Sequence, residues 1–217
     1  MKKGKFIVIE GGEGAGKGAM ISFLKEKLSE RDDVIFTREP GGTPVAEKIR
    51  AVLMDKENKE TSVLTELFLF CAARAQHIDE LIRPSLETGK IVISDRFDVS
   101  TQAYQIYGRD RVKLRKIFIL LNDIAKRGLS PDTVIYLDVE PEVGLERKHK
   151  SDEGHCTRFD VENMEFHRRV HFGYLKQFQE SVQRKSSPAW WMISTTRMTE
   201  REVKEKIWEI VKKTMNI

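Results

Sequence analysis

Apolar residues fall along this chain in two alternating rhythms. Short unbroken runs rich in β-branched or aromatic residues recur at 6–9, 34–37, 91–95, 133–138 and 190–193. Runs this short and this continuous predict strands buried on both faces. Between them the apolar positions spread to helical spacing, as in Ile21, Phe23, Leu24 and Leu28. The same spacing predicts helices from Pro44 to 54, from about 61 to 88, over 98–107 and 110–127, over 141–148, and from about 161 to 185. End signals support these bounds. Thr43 reads as an N-cap with Pro44 at the first helical position. Gly89 and Gly128 read as stops, and Gly108 as a break. Thr199 and Glu202 have the spacing of a capping box for a last helix. Residues 55–60 are a polar connector, and 149–157 (HKSDEGHCT) is a polar loop long enough to form a lid.

Strands separated by helices throughout imply an α/β fold, a parallel sheet with helices on both faces. No repeat, low-complexity segment or linker interrupts 1–217, so one domain is expected. Ligands of such sheets sit at the carboxyl ends of the strands. The loops after the first three strands carry residues 11–17, Arg38-Glu39 and Asp95-Arg96, and these clusters should converge.

The first of these loops is the most informative. In KFIVIEGGEGAGKGAMIS, residues 5–22, a strand runs through Gly11, Gly12, Glu13, Gly14, Ala15 and Gly16 to Lys17 and Gly18 and on into a helix. In that setting G-x-x-x-x-G-K binds phosphate. Glycines let consecutive N–H groups form an anion nest at the positive end of the helix, and Lys17 reaches the β/γ-phosphates of a nucleotide. Gly18 stands where Ser or Thr normally offers a hydroxyl to Mg²⁺.

Other charged residues extend the reading. Asp95, ending a strand, suits Mg²⁺ directly or through water, and Glu39 is a second candidate for the metal. Arg96 suits the charge that spreads over a transferred phosphoryl group. Arg38 and Arg50 offer planar forks for phosphate. Phe70 and Arg74 are four apart and share a helix face, a ring to stack on beside a forked donor. Thr101 and Gln105 repeat that spacing with Tyr104 adjacent, and Gln105 offers the donor and acceptor that a pyrimidine edge requires. Arg147, Lys148, Lys150 and Arg158 surround the predicted lid, about 147–160, where closure would expel water and add positive charge. His155 and Cys156 are two possible metal ligands without further partners.

Composition narrows the setting. A net charge of +4 fits an anionic substrate but is too weak to argue for nucleic acid. Cys71 and Cys156 form no CxxC pair, which suits a reducing compartment. The N-terminal MKKGKFIVIEGG lacks the apolar core of a signal peptide, and no run approaches membrane-spanning length. A cytoplasmic protein is expected.

The segments FIVIEGGEGAGK, FTREPGGTPVAEKIR, ELFLFCAARAQ, ISDRFDVSTQAYQ and PDTVIYLDVEPEVGLER resemble the bacterial thymidylate kinase (dTMP kinase) family, in the family's order and to about Arg169. The resemblance implies a five-stranded fold of the P-loop nucleoside monophosphate kinases with a short lid. It also implies Mg²⁺-dependent transfer of the ATP γ-phosphoryl to dTMP, giving dTDP, in a homodimer. By position, Phe70 would stack on thymine, Arg74 and Gln105 would bond its edge, and Tyr104 would crowd the 2′ position. Arg38, Arg50 and Arg96 would hold the acceptor phosphate. Glu13 would lie near the sugar and the donor phosphates, and Arg158 would be the lid arginine, catalytic with Lys17, Asp95 and Arg96. Gly18-Ala19 in place of Thr-Thr and Phe97 after Asp-Arg depart from the family pattern. Two other readings stay open: a kinase for another pyrimidine monophosphate such as dUMP, and a nucleotide-binding homologue weakened in catalysis by Gly18.

Overall fold

A computed structural model describes residues 4–150, 157–184 and 188–217. Every predicted apolar run is a strand: β1 (Lys5–Gly11), β2 (Val34–Arg38), β3 (Ile91–Asp95), β4 (Thr133–Asp138) and β5 (Ala189–Ser194). They form one parallel sheet in the order β2-β3-β1-β4-β5. Successive side chains of a strand point to opposite faces, and both faces are covered. Ile7, Ile9, Ile93, Ile135 and Leu137 pack with Met20 and Leu24 of α1 (Lys17–Lys27) and Val203, Ile207 and Val211 of α9 (Glu200–Met215). On the other face, Phe6, Val8, Val92 and Val134 meet Ile78 and Ile82, while Tyr136 meets Phe166, Val170 and Tyr174. Two-sided burial is why the strands read as continuous apolar runs rather than alternating ones.

The other helices are α2 (Pro44–Met54), α3 (Val63–His77), α4 (Arg83–Glu87), α5 (Asp98–Thr101), α6 (Arg115–Lys126), α7 (Pro141–Lys150) and α8 (Met164–Arg184). The capping box of α9 forms between Thr199 and Glu202. Three predicted helices differ in detail. The one expected over 61–88 starts after Ser62, whose side chain caps it, and widens into a π-helical turn at Ile78–Ile82 before α4. Pro84 has no N–H for the regular i→i−4 ladder, and a wider turn absorbs that missing donor. The helix over 98–107 passes from α5 into a π-helical stretch, Gln102–Gly108. The helix over 110–127 opens with a 3₁₀ turn at Val112–Leu114 and closes on left-handed Arg127, one residue before Gly128. Of the predicted 149–157 loop, 149–150 belong to α7; 151–156, with His155 and Cys156, lie outside the described residues.

The phosphate-type loop, Arg38 and Asp95 all leave the same end of the sheet, because β1, β2 and β3 are parallel neighbours.

Candidate active site

The loop between β1 and α1 is shaped by glycine. Gly14 and Gly16 have φ of +66° and +88°, a left-handed region that other residues enter at a cost. A Cβ on Gly14 would also lie 1.8 Å from the carbonyl oxygen of Gly144, so the loop and α7 touch main chain to main chain. Lys17 folds back, its Nζ donating to Gly11 O and Gly12 O at 3.0 Å each. Burial, with the nearby Arg96 guanidinium, pushes the Lys17 ammonium down to about 8. Those carbonyls hold the amine against the main chain of its own loop.

Two spaces meet beside this loop. One is a cavity of roughly 210 Å³ at the ends of β2 and β3. Its lining includes every residue expected, from the residue patterns and the resemblance together, at the acceptor nucleotide: Glu13, Arg38, Arg50, Phe70, Arg74, Arg96, Thr101, Tyr104 and Gln105. The other is an open cleft of roughly 760 Å³ lined by Glu13–Met20, Asp95, Arg96, Arg147 and Lys148. Glu13, Asp95, Arg96 and Lys148 line both, and so mark the junction.

Arg96 is fixed tightly there. It has a φ of 71°, and its Nη1 donates to Gly11 O (2.9 Å), Tyr174 Oη (3.0 Å) and Ser100 Oγ (3.1 Å). Its Nη2 pairs with Glu13 Oε1 at 3.1 Å, and Lys148 Nζ meets Glu13 Oε2 at 2.7 Å. Burial opposes ionisation of Glu13, yet Arg96, Lys17 and Lys148 together hold its carboxyl far below the usual carboxylate range. Tyr104 Oη donates to the same carboxylate at 2.8 Å.

At the far end, Arg74 is 1% exposed. Its Nε donates to Glu39 Oε2 (2.9 Å), Nη2 to Thr101 Oγ1 (2.8 Å) and Nη1 to Asn122 Oδ1 (3.1 Å). A guanidinium has five N–H groups, so these three bonds do not exhaust its donors. Arg50 donates to Pro40 O at 2.8 Å, and Arg38 pairs with Glu47 at the rim. The ring of Phe70 sits 6.4 Å from that of Phe159.

Against known proteins, residues 9–207 match the family model for thymidylate kinase. A thymidylate kinase of Clostridium novyi (strain NT) is 41% identical over 181 residues, 83% of this chain and 87% of that protein. One of Lactobacillus acidophilus is 38% identical over 96% of this chain and 94% of its own length. The crystal structure of thymidylate kinase from Ehrlichia chaffeensis superposes with a TM-score of 0.75 at 30% identity, covering 97% of this chain and 99% of that one.

This chain belongs to the thymidylate kinase family.

Membership bears out the resemblance, the fold and the class of enzyme, a nucleoside monophosphate kinase. Set against the site residues expected from the sequence, the geometry differs at two of them. Glu39 is not available to a metal: besides Arg74, its Oε1 takes His77 Nδ1 at 3.1 Å, and the side chain is buried. Asp95 is the better fit, since its Oδ1 is buried without a hydrogen-bond partner at the junction. Mg²⁺ is commonly held by one or two carboxylates plus phosphate oxygens and water, so this donor set suits it. Among the described residues no group of three or more His, Cys, Asp or Glu could hold a metal by themselves. Arg158 is the second difference. It is 4% exposed, donates to Leu53 O and pairs with Glu66 at 2.9 Å, lining neither the cavity nor the cleft. An internal carboxylate holds it where a bound phosphate was expected to.

Three residues went unremarked in the sequence. Glu10 is fully buried and shares Ser100 Oγ with Arg96, accepting from Phe97 N and from Ser100 N and Oγ. Burial pushes its carboxyl up despite those donors. Tyr174 of α8 joins the cluster at 2.7 Å from Ser100 Oγ. An acid ending the apolar run FIVIE was a readable signal for Glu10. Ser100 and Tyr174 carried none.

Proposed function

We propose that this chain, as one kinase domain over 1–217, transfers the γ-phosphoryl group of ATP to dTMP, giving dTDP, with Mg²⁺. The observation that carries it is the junction: an acceptor cavity and a donor cleft opening onto the same Glu13, Asp95, Arg96 and Lys148. Phosphoryl transfer needs little covalent help and much positioning. Backbone amides of the loop receive the donor phosphates while Lys17 exchanges its two carbonyl contacts for phosphate oxygens. Arg38, Arg50 and Arg96 face the acceptor phosphate, with Arg96 braced by Glu13, Ser100 and Tyr174. Phe70, Arg74 and Gln105 enclose the base. Asp95 would hold Mg²⁺, which when bound neutralises charge on the phosphoryl oxygens.

A coupled ADP-release assay with a panel of monophosphates, ATP and Mg²⁺ tests this. dTMP should turn over fastest, and Lys17→Ala should lower kcat by about 10²-fold or more, the scale of losing one preorganised charge stabiliser. Preferred turnover of a purine monophosphate, or full activity of Lys17→Ala, would overturn it.

A cytoplasmic homodimer completes the proposal. No helix among the described residues is long and apolar enough to cross a membrane. Leu64 and Phe68 of α3 and Leu120 and Ile124 of the adjoining α6 are exposed, an apolar face suited to a second copy. Sedimentation at twice 25.1 kDa is expected; a monomer at micromolar concentration would exclude the dimer.

A further inference from the structure

The base end of the acceptor cavity holds Gln105, whose side chain is fully buried. Its Nε2 lies 3.3 Å from Glu66 Oε2, and its Oε1 has no partner. Glu66 is itself buried and does not line the cavity. Its other oxygen receives Arg158 Nη1 at 2.9 Å and Arg109 Nη2 at 3.3 Å. Guanidinium groups only donate, so Glu66 stands among donors and acts as an acceptor on both oxygens. An amide facing such an acceptor must present its NH₂, so its carbonyl oxygen is turned away from Glu66, on a side chain that belongs to the cavity lining.

We propose that Glu66 is a positioning residue for base selection: through its bond to Gln105 Nε2 it fixes the amide so that a carbonyl oxygen meets the bound base. The proposal rests on the acceptor reading given above. A pyrimidine with a ring N–H, as in thymine or uracil, satisfies that oxygen. Cytosine presents an unprotonated ring nitrogen at the same place, setting one acceptor against another. Sites that leave a buried polar group unpaired with the wrong substrate reject it by as much as about 10⁴–10⁵. Orientation of this one amide therefore decides which pyrimidine is refused, while Glu66 never touches the nucleotide.

The test is the ratio of kcat/KM for dTMP over dCMP. Glu66→Gln keeps the shape but introduces a donor able to face Gln105 Oε1, letting the amide turn its NH₂ to the cavity. The ratio should fall by at least about tenfold, a change in specificity that general loosening of the site would not produce. In the Gln105→Leu background the same Glu66→Gln change should leave the ratio unmoved, because residues acting through one another are non-additive. Should Glu66→Gln leave its two arginines uncompensated and fail to fold, Glu66→Gln/Arg109→Gln restores the charge balance and carries the same measurement. A wild-type protein active on dTMP whose ratio survives Glu66→Gln overturns this inference alone. A wild type inactive on dTMP overturns the proposed function and the inference with it.

Discussion

On the acceptor side, Arg74 is committed to Glu39, Asn122 and Thr101, and Glu66 to Gln105, Arg109 and Arg158. On the donor side, Lys17 leans on carbonyls of its own loop, Asp95 Oδ1 has no partner, and a Cβ at Gly18 would meet nothing within 4 Å. Both regions hold buried charge, but the first is neutralised by side chains from distant elements and the second leans on the main chain of its own loop. The difference follows from what each must recognise. A flat base is told apart by the direction of donors and acceptors, which have to be set before it arrives. Phosphates bring their own charge and complete whatever cations they meet.

The largest effect expected from breaking this contrast is on the wired side. Glu39→Leu strands the buried Arg74, and losing one partner of such a pair costs about 3–5 kcal/mol. For a chain of this size that lowers the melting midpoint by about 10 °C, with dTMP affinity lost alongside. An unchanged midpoint would mean that Asn122 and Thr101 suffice to hold the guanidinium.

Next comes the pH response of the donor side. Lys17 in the free protein loses its proton at about 8, and phosphate oxygens need the ammonium. Below that pH the KM for ATP should be flat. Above it the amine must recover a proton before binding, and KM should climb, approaching tenfold per unit by pH 9–10. A KM independent of pH through 10 would show Lys17 fully charged in the free protein.

The smallest effect sharpens the contrast from the other direction. Gly18→Thr has room for its side chain and restores a hydroxyl at the start of α1. A net gain of about 0.5–1.5 kcal/mol for one added polar contact corresponds to a severalfold lower Mg²⁺ concentration at half-maximal rate. An unaltered Mg²⁺ titration would show that water already serves in place of the hydroxyl.

Sequence legibility follows the same divide. Each strand was readable because two-sided burial leaves an unbroken apolar run, and the loop because glycine spacing is local. The cavity lining was readable as residue types: Phe70 with Arg74 and Thr101 with Gln105 share one cavity, as their spacing suggested. Pairing across distance was not readable. Glu39, next to a strand end, looked ready for a metal until a helix 35 residues on brought Arg74 against it. Arg158, in a stretch rich in cations, looked ready for phosphate, but Glu66 lies far upstream and no period in the chain links them. The π-helical turns left no trace for a similar reason, since a ladder shifted by one residue alters no apolar spacing over so few positions.

Gly14 and Gly144 meet with no side chain between them. The spacing between the glycine loop and the helix that carries Arg147 and Lys148 is thus written in main chain. It works as a ruler with no adjusting screw: the helix stands at one set height above the loop, and no substitution by a larger residue at either glycine can trim that height without prising the two apart.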